Sequence, residues 1–135
     1  MKNMTLENIA TACGVYHGDP AKSKQEVTNI VIDSRKIEPG GLFIATKGDR
    51  VDGHSFIGQV MEKGALAVVS EQELPDADFP YILVKDSFTA LKQIAAFYRE
   101  QLSVHVVGIT GSVGKTTTKE MIAGVLSAKY HVMKT

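Results

Sequence analysis

The sequence predicts an α/β fold built as two pieces. A small α/β domain spans residues 1–103, and the first strand, glycine loop and helix of a second domain span residues 104–135. Three observations predict it. Short apolar runs that read as strands alternate with stretches of helical periodicity. One such run leads directly into a glycine-rich loop and then a helix. A hydrophobic content of 44% supports a buried core.

Taken in order, Thr5 caps a short helix over Leu6 to Cys13, which Gly14 ends. Tyr16 to Glu26 is polar, and Gly18-Asp19-Pro20 marks a turn. Val27 to Asp33 reads as a strand with Val27, Ile30 and Ile32 as its apolar positions, and Asp33-Ser34-Arg35-Lys36 follows. Glu38-Pro39-Gly40-Gly41 is a tight turn with proline second and glycine third, and Leu42 to Thr46 is the next strand. Lys47 to His54 is a polar loop that carries Gly48 and Gly53. Ser55 to Lys63 reads as a short helix with Phe56, Ile57, Val60 and Met61 inward, closed by Gly64. Ala65 to Ser70 is a buried strand, Glu71 to Pro80 an acidic surface connection, and Tyr81 to Val84 another short strand. Asp86 or Ser87 caps the clearest helix, where Phe88, Leu91, Ile94, Ala95, Tyr98 and Leu102 share one stripe. Val104 to Thr110 reads as a strand. The helix from Lys115 carries Met121, Ile122, Val125 and Leu126 on one face, and Lys129 to Met133 begins a further strand.

The stretch Gly108-Ile109-Thr110-Gly111-Ser112-Val113-Gly114-Lys115-Thr116-Thr117-Thr118 carries the clearest chemistry. Strand, glycine loop and helix with Lys-Thr at the helix start form a P-loop, which holds the phosphates of a nucleoside triphosphate such as ATP. Loop and helix-terminal N–H groups point at the anion, and glycine lets the backbone come close. Ile109 stands where the strict pattern has glycine, so the loop is a variant. Backbone groups from Gly111 through Ser112, Val113, Gly114, Lys115, Thr116 and Thr117 are expected to wrap the phosphates. Lys115 reaches the outer phosphates as the catalytic residue, and the Thr116 hydroxyl ligates Mg²⁺. The hydroxyls of Thr117 and Thr118 have a plainer alternative role, satisfying free N–H groups at the helix start.

Totals exclude several classes. Lys+Arg and Asp+Glu number 15 each, so the net charge is zero, which argues against a generic nucleic-acid binder. Cys13 is the single cysteine, so no internal disulfide forms; it reads as a small buried side chain, and a cytoplasmic setting fits. The start of the chain lacks an apolar signal core, and no apolar run is long enough to span a membrane. His17, His54, His105 and His131 match no metal-ligand spacing.

Two blocks carry a family resemblance. One is Asp33-Ser34-Arg35, then Pro39-Gly40-Gly41-Leu42-Phe43-Ile44-Ala45, Lys47-Gly48 and Asp52-Gly53-His54-Ser55-Phe56-Ile57; the other runs from Gly108 to Met121. With both, the chain resembles the Mur ligase family, ATP-dependent amide ligases of bacterial peptidoglycan precursor synthesis, over essentially all 135 residues. Within that family, Gly111-Ser112-Val113-Gly114-Lys115-Thr116 followed by Lys119-Glu120-Met121 is most similar to the branch that adds D-alanyl-D-alanine to UDP-N-acetylmuramoyl-tripeptide. The branch that extends the UDP-N-acetylmuramoyl-dipeptide typically has Thr-Asn at the place of Ser112-Val113. Folylpolyglutamate synthase typically has Gly-Ser at the place of Thr116-Thr117.

The resemblance implies that residues 1–103 bind the UDP end of the sugar-peptide and residues 104–135 open a central ATP-binding domain. It implies ATP and Mg²⁺, a peptide carboxylate that attacks the γ-phosphate to give an acyl phosphate, and an amine that then displaces phosphate. Ser34 and Arg35 become candidates for contacting the uridine nucleotide, since a guanidinium donates to a diphosphate in a fixed fork. Lys47, Gly48 and His54 are further candidates in the next loop. Read without the resemblance, Asp33 simply locks Arg35 or Lys36 in a turn as an ion pair. The chain is expected to be a monomer and, lacking the family's acidic metal ligands and modified lysine, not to ligate alone. Two other readings stand beside this one: a stand-alone uridine-nucleotide binding module, and an unrelated truncated P-loop ATPase or GTPase.

Overall fold

The structure, a computed structural model, describes residues 1–135 and divides them into two compact units, Met1–Leu102 and Ser103–Thr135. In the first unit α1 (Leu6–Cys13) starts at Thr5, whose hydroxyl accepts from the Asn8 N–H, and stops where the Gly14 N–H bonds to the Ala10 carbonyl. Its Leu6, Ile9 and Ala10 are buried, the i, i+3, i+4 pattern of a one-faced helix. Strand β1 (Val15–His17) follows, then a single turn, α2 (Pro20–Ser23), with Asp19 as cap and proline at its start. Next come β2 (Ile30–Val31), a 3₁₀ turn at Ser34–Lys36, β3 (Leu42–Ile44), a second 3₁₀ turn at Gly53–Phe56 and α3 (Ile57–Glu62). Strands β4 (Ala67–Ser70) and β5 (Tyr81–Leu83) precede α4 (Ser87–Glu100), which Asp86 caps by accepting from the Thr89 N–H.

The five strands form one sheet in the order β1-β5-β4-β3-β2. Strands β2 to β5 are mutually parallel, and β1 adds antiparallel at the β5 edge. Alternation along each strand sorts side chains to two cores. Leu42, Ile44, Ala67, Val69 and Ile82 pack with Leu6 and Ile9 of α1 and Ala90 and Ile94 of α4. Phe43, Val68 and Tyr81 pack on the opposite face with Ile37, Ile57 and Val60. Strands covered on both faces read as continuous apolar runs, which is why Leu42–Ala45 and Ala67–Val69 lack polar positions.

The expected α/β class and its sheet are present, with local departures. The predicted strand over Val27–Asp33 shrinks to two paired residues, because the Val27 N–H bonds to the Met4 carbonyl outside the sheet. A strand the sequence did not predict, β1, overlaps the start of the polar stretch Tyr16–Glu26, and its Val15, Tyr16 and His17 register against Leu83, Ile82 and Tyr81. On α4 the expected stripe holds at Leu91, Ile94 and Tyr98, which pack on the core, but Ser87 and Ala90 are buried beside them while Phe88, Ala95 and Leu102 are exposed. Small side chains at Ser87 and Ala90 admit a close approach that Phe88 would block.

In the second unit α5 (Lys115–Leu126) forms as expected, but Val104–Thr110 and Lys129–Met133 are not strands. A strand needs a ladder, and these residues find none among the 135. On α5 Met121 and Val125, expected inward, are exposed, and only Ala123 is buried.

Candidate functional site

Parallel neighbours end at the same side of a sheet, so the loops after β2 and β3 lie side by side at its carboxyl edge, where ligands of open α/β sheets bind. The first of these loops holds Asp33, Ser34 and Arg35. The Asp33 carboxylate caps the 3₁₀ turn by accepting the Arg35 N–H at 3.0 Å. It also takes the Arg35 guanidinium in a two-point grip, Nε to Oδ1 at 2.9 Å and Nη2 to Oδ2 at 2.8 Å. Those bonds hold its carboxyl down at about 2. The Arg35 side chain is nonetheless 85% exposed, so its guanidinium is aimed but open. Lys63, at the end of α3, donates from Nζ to the Ser34 carbonyl at 3.1 Å and puts another cation beside the turn.

The second loop is tied at its neck by a bridge between Lys47 and Asp52, and the Gly48 N–H bonds to the Val51 carbonyl at 3.0 Å. Gly48 does not lie in the left-handed region, and the nearest atom to a Cβ there would be the Val51 carbonyl at 3.4 Å. The turn itself therefore does not demand glycine. Gly53 is different: a Cβ would come 2.8 Å from the Thr46 carbonyl oxygen, so the backbones touch. Asp52 accepts the His54 N–H at 3.0 Å and meets its Nδ1 at 2.6 Å, and these bonds lower the Asp52 carboxyl below its usual range. His54 Nε2 accepts the Glu71 N–H at 3.0 Å. The imidazole is thus spent inside the fold, with 8% of its side chain exposed.

The third element is the glycine loop of the second unit. Gly111 has φ +152° and Gly114 has φ +76°, backbone that side chains rarely adopt. Gly114 leads into α5, and no side chain caps that helix. The first intrahelical bond runs from the Thr118 N–H to the Gly114 carbonyl, which leaves the N–H groups of Lys115, Thr116 and Thr117 without protein partners. The helix-start role for the hydroxyls of Thr117 and Thr118 is not taken up. Ser112 and Val113 are exposed, as are the side chains of Lys115, Thr116 and Thr117. The donors, the left-handed glycine, the free ammonium and the hydroxyl fit a polyphosphate and a divalent cation.

The structure thus brings Ser34, Arg35, Lys47, Gly48 and His54 to one sheet edge and gathers Gly111–Thr117 around one helix start. Asp52 stood in the family block without a role of its own, and Lys63 and Glu71 were not singled out. Asp52-Gly53-His54 carries a signal, an aspartate that caps the turn by accepting an N–H two residues on, but Glu71 acts through space and leaves none. Cys13 is structural: its thiol donates to the Ile9 carbonyl at 3.2 Å, and burial pushes it up to about 11. Open clefts of about 370 and 710 Å³ lie beside β1, and none of the expected ligand residues lines them.

Residues 26–99 match the family described as "Mur ligase family, catalytic domain", and residues 109–135 match "Mur ligase middle domain". The whole chain is 42% identical over 137 residues to the UDP-N-acetylmuramoyl-tripeptide--D-alanyl-D-alanine ligase of Bacillus subtilis, of which it spans 30%. It is 40% identical to the UDP-N-acetylmuramoyl-L-alanyl-D-glutamate--2,6-diaminopimelate ligase of Bacillus cereus, over 91% of this chain and 26% of that protein. Among solved structures, MurF from Acinetobacter baumannii superposes with a TM-score of 0.81 at 38% identity, covering 93% of this chain and 28% of its own. MurF ligase from Thermotoga maritima, solved in complex with ADP, gives 0.66 at 39% identity over 75% of this chain and 23% of its own.

Proposed function

The chain belongs to the Mur ligase family, and from that premise we propose that it supplies the uridine grip and the first ATP-binding element of an amide ligase. The reaction we assign to the complete enzyme joins D-alanyl-D-alanine to UDP-N-acetylmuramoyl-tripeptide. The observation that carries this reading is the start of α5, where three unpartnered N–H groups, Lys115 and Thr116 converge behind Gly114. The similarity to MurF proteins supports the choice of branch. The similarity to a diaminopimelate ligase favours a second reading, in which the amine is the third residue of the peptide.

In the proposed division of labour residues 1–103 hold the UDP end and residues 104–135 open the ATP-binding domain. Arg35, aimed by Asp33, offers two parallel donors to the diphosphate, and Ser34 offers a hydroxyl beside it. Lys47 and the backbone at Gly48 close the ligand from the neighbouring loop. The N–H groups of Gly111 to Thr117 take the phosphates of ATP. Lys115 balances charge on the γ-phosphoryl group as the peptide carboxylate attacks it. Thr116 would hold Mg²⁺, which when bound neutralises the phosphate charge. ADP leaves, and the incoming amine displaces phosphate from the acyl phosphate. A monomer in the cytoplasm fits this role; no helix of the chain is long and apolar enough to cross a membrane.

Lys115→Ala in the complete enzyme tests it. Ligation should fall by at least about a hundredfold, a typical loss for one transition-state donor, while titration calorimetry with the uridine substrate remains near wild type. Loss of both would contradict the division of labour. Tight ATP binding by this chain with no response to the uridine ligand would favour an unrelated ATPase.

A further inference from the structure

His54 sits between two loops and an inner strand end. Its Nε2 accepts the Glu71 N–H at 3.0 Å, so that nitrogen carries no proton. The proton therefore resides on Nδ1, which donates to Asp52 Oδ1 at 2.6 Å. The same Asp52 oxygen accepts the His54 backbone N–H, and Asp52 bridges back to Lys47 at the loop neck. On the far side, Glu71 Oε1 accepts the Ser87 N–H at 2.8 Å, at the first residue of α4. A continuous set of hydrogen bonds thus joins the loops that leave β3, β4 and β5.

We propose that His54, as the neutral Nδ1–H tautomer, is a positioning residue that fixes the Lys47–Gly53 loop against the β4 end, so that the loop meets the uridine diphosphate already shaped. It acts through Asp52 and Glu71 and does not touch the ligand. Its near-complete burial and the use of both ring nitrogens leave it nothing to offer a substrate directly. A preformed loop loses less conformational freedom on binding, so affinity is where the effect appears. The proposal rests on the uridine reading of this sheet edge.

Two measurements on the 135-residue chain test it. Long-range proton–nitrogen NMR at neutral pH should show Nδ1 protonated and Nε2 bare; the opposite tautomer overturns the proposal. Titration calorimetry with UDP-N-acetylmuramoyl-tripeptide should show His54→Ala weakening binding by about tenfold, the scale of a slight misplacement, with His54→Asn recovering part of it through its amide donor to Asp52. Should His54→Ala fail to fold, Asp52→Asn is the second variant, expected to weaken binding in the same direction. A folded His54→Ala or Asp52→Asn chain with unchanged affinity overturns the positioning role alone. No binding by the wild-type chain overturns the uridine reading and the loop's ligand role with it.

Discussion

Asp33 does two jobs with one carboxylate, capping a turn and aiming Arg35. Its carboxyl is held at about 2, chiefly by the side-chain bond from Arg35, against about 4 in an unfolded chain. A carboxyl lowered in the folded state contributes stability that is complete above about pH 4 and is lost as pH falls through about 2. Asp33→Asn should therefore lower the urea midpoint slightly at neutral pH, and the gap from wild type should close between those two values. A constant gap across that range would assign the effect to packing instead. The ion pair was legible as adjacent charges at the end of a strand. His54 was legible only as a loop histidine, because its partner Glu71 comes from the loop just past β4, 17 residues away.

At the scale of elements, local hydrogen bonds made helix starts readable. Thr5 and Asp86 cap α1 and α4 as their residue types imply, and Gly40, at φ +79°, takes the third place of the Glu38–Gly41 turn. The junction of α1 with β1 is set by Gly14, where a Cβ would lie 2.3 Å from the Leu83 carbonyl oxygen and 2.8 Å from Val84 Cγ1. Gly14→Ala must push β1 away from β5 or bend α1, and should cost about 1–3 kcal/mol. Urea unfolding would read that loss, and a midpoint equal to wild type would mean that the strand edge gives way freely. What the sequence did not disclose was that Phe88 turns outward on α4 while Ala90 is covered. Phe88 and Ala90 are both apolar, and only the space above the sheet decides which one is covered.

Across the whole molecule, both cores close within Met1–Leu102, and every strand of the sheet lies there. A chain ending at Leu102 should keep a cooperative thermal transition and the uridine affinity of the 135-residue protein. Circular dichroism melting and calorimetry check this, and a gradual, non-cooperative melt would show that the division between units is not energetic. Residues 103–135 differ: one residue is buried, and the expected strand at Val104–Thr110 has no neighbour to pair with. By itself the sequence determined the α/β class, the caps and the glycine loop that leads into α5, because each depends on contacts within a few positions along the chain. Only the tertiary structure decided that Phe88 turns outward, that Val104–Thr110 is not a strand, and that His54 is consumed by Asp52 and Glu71. Those outcomes depend on what a distant segment places within hydrogen-bonding or van der Waals reach, and short-range pattern carries no record of it.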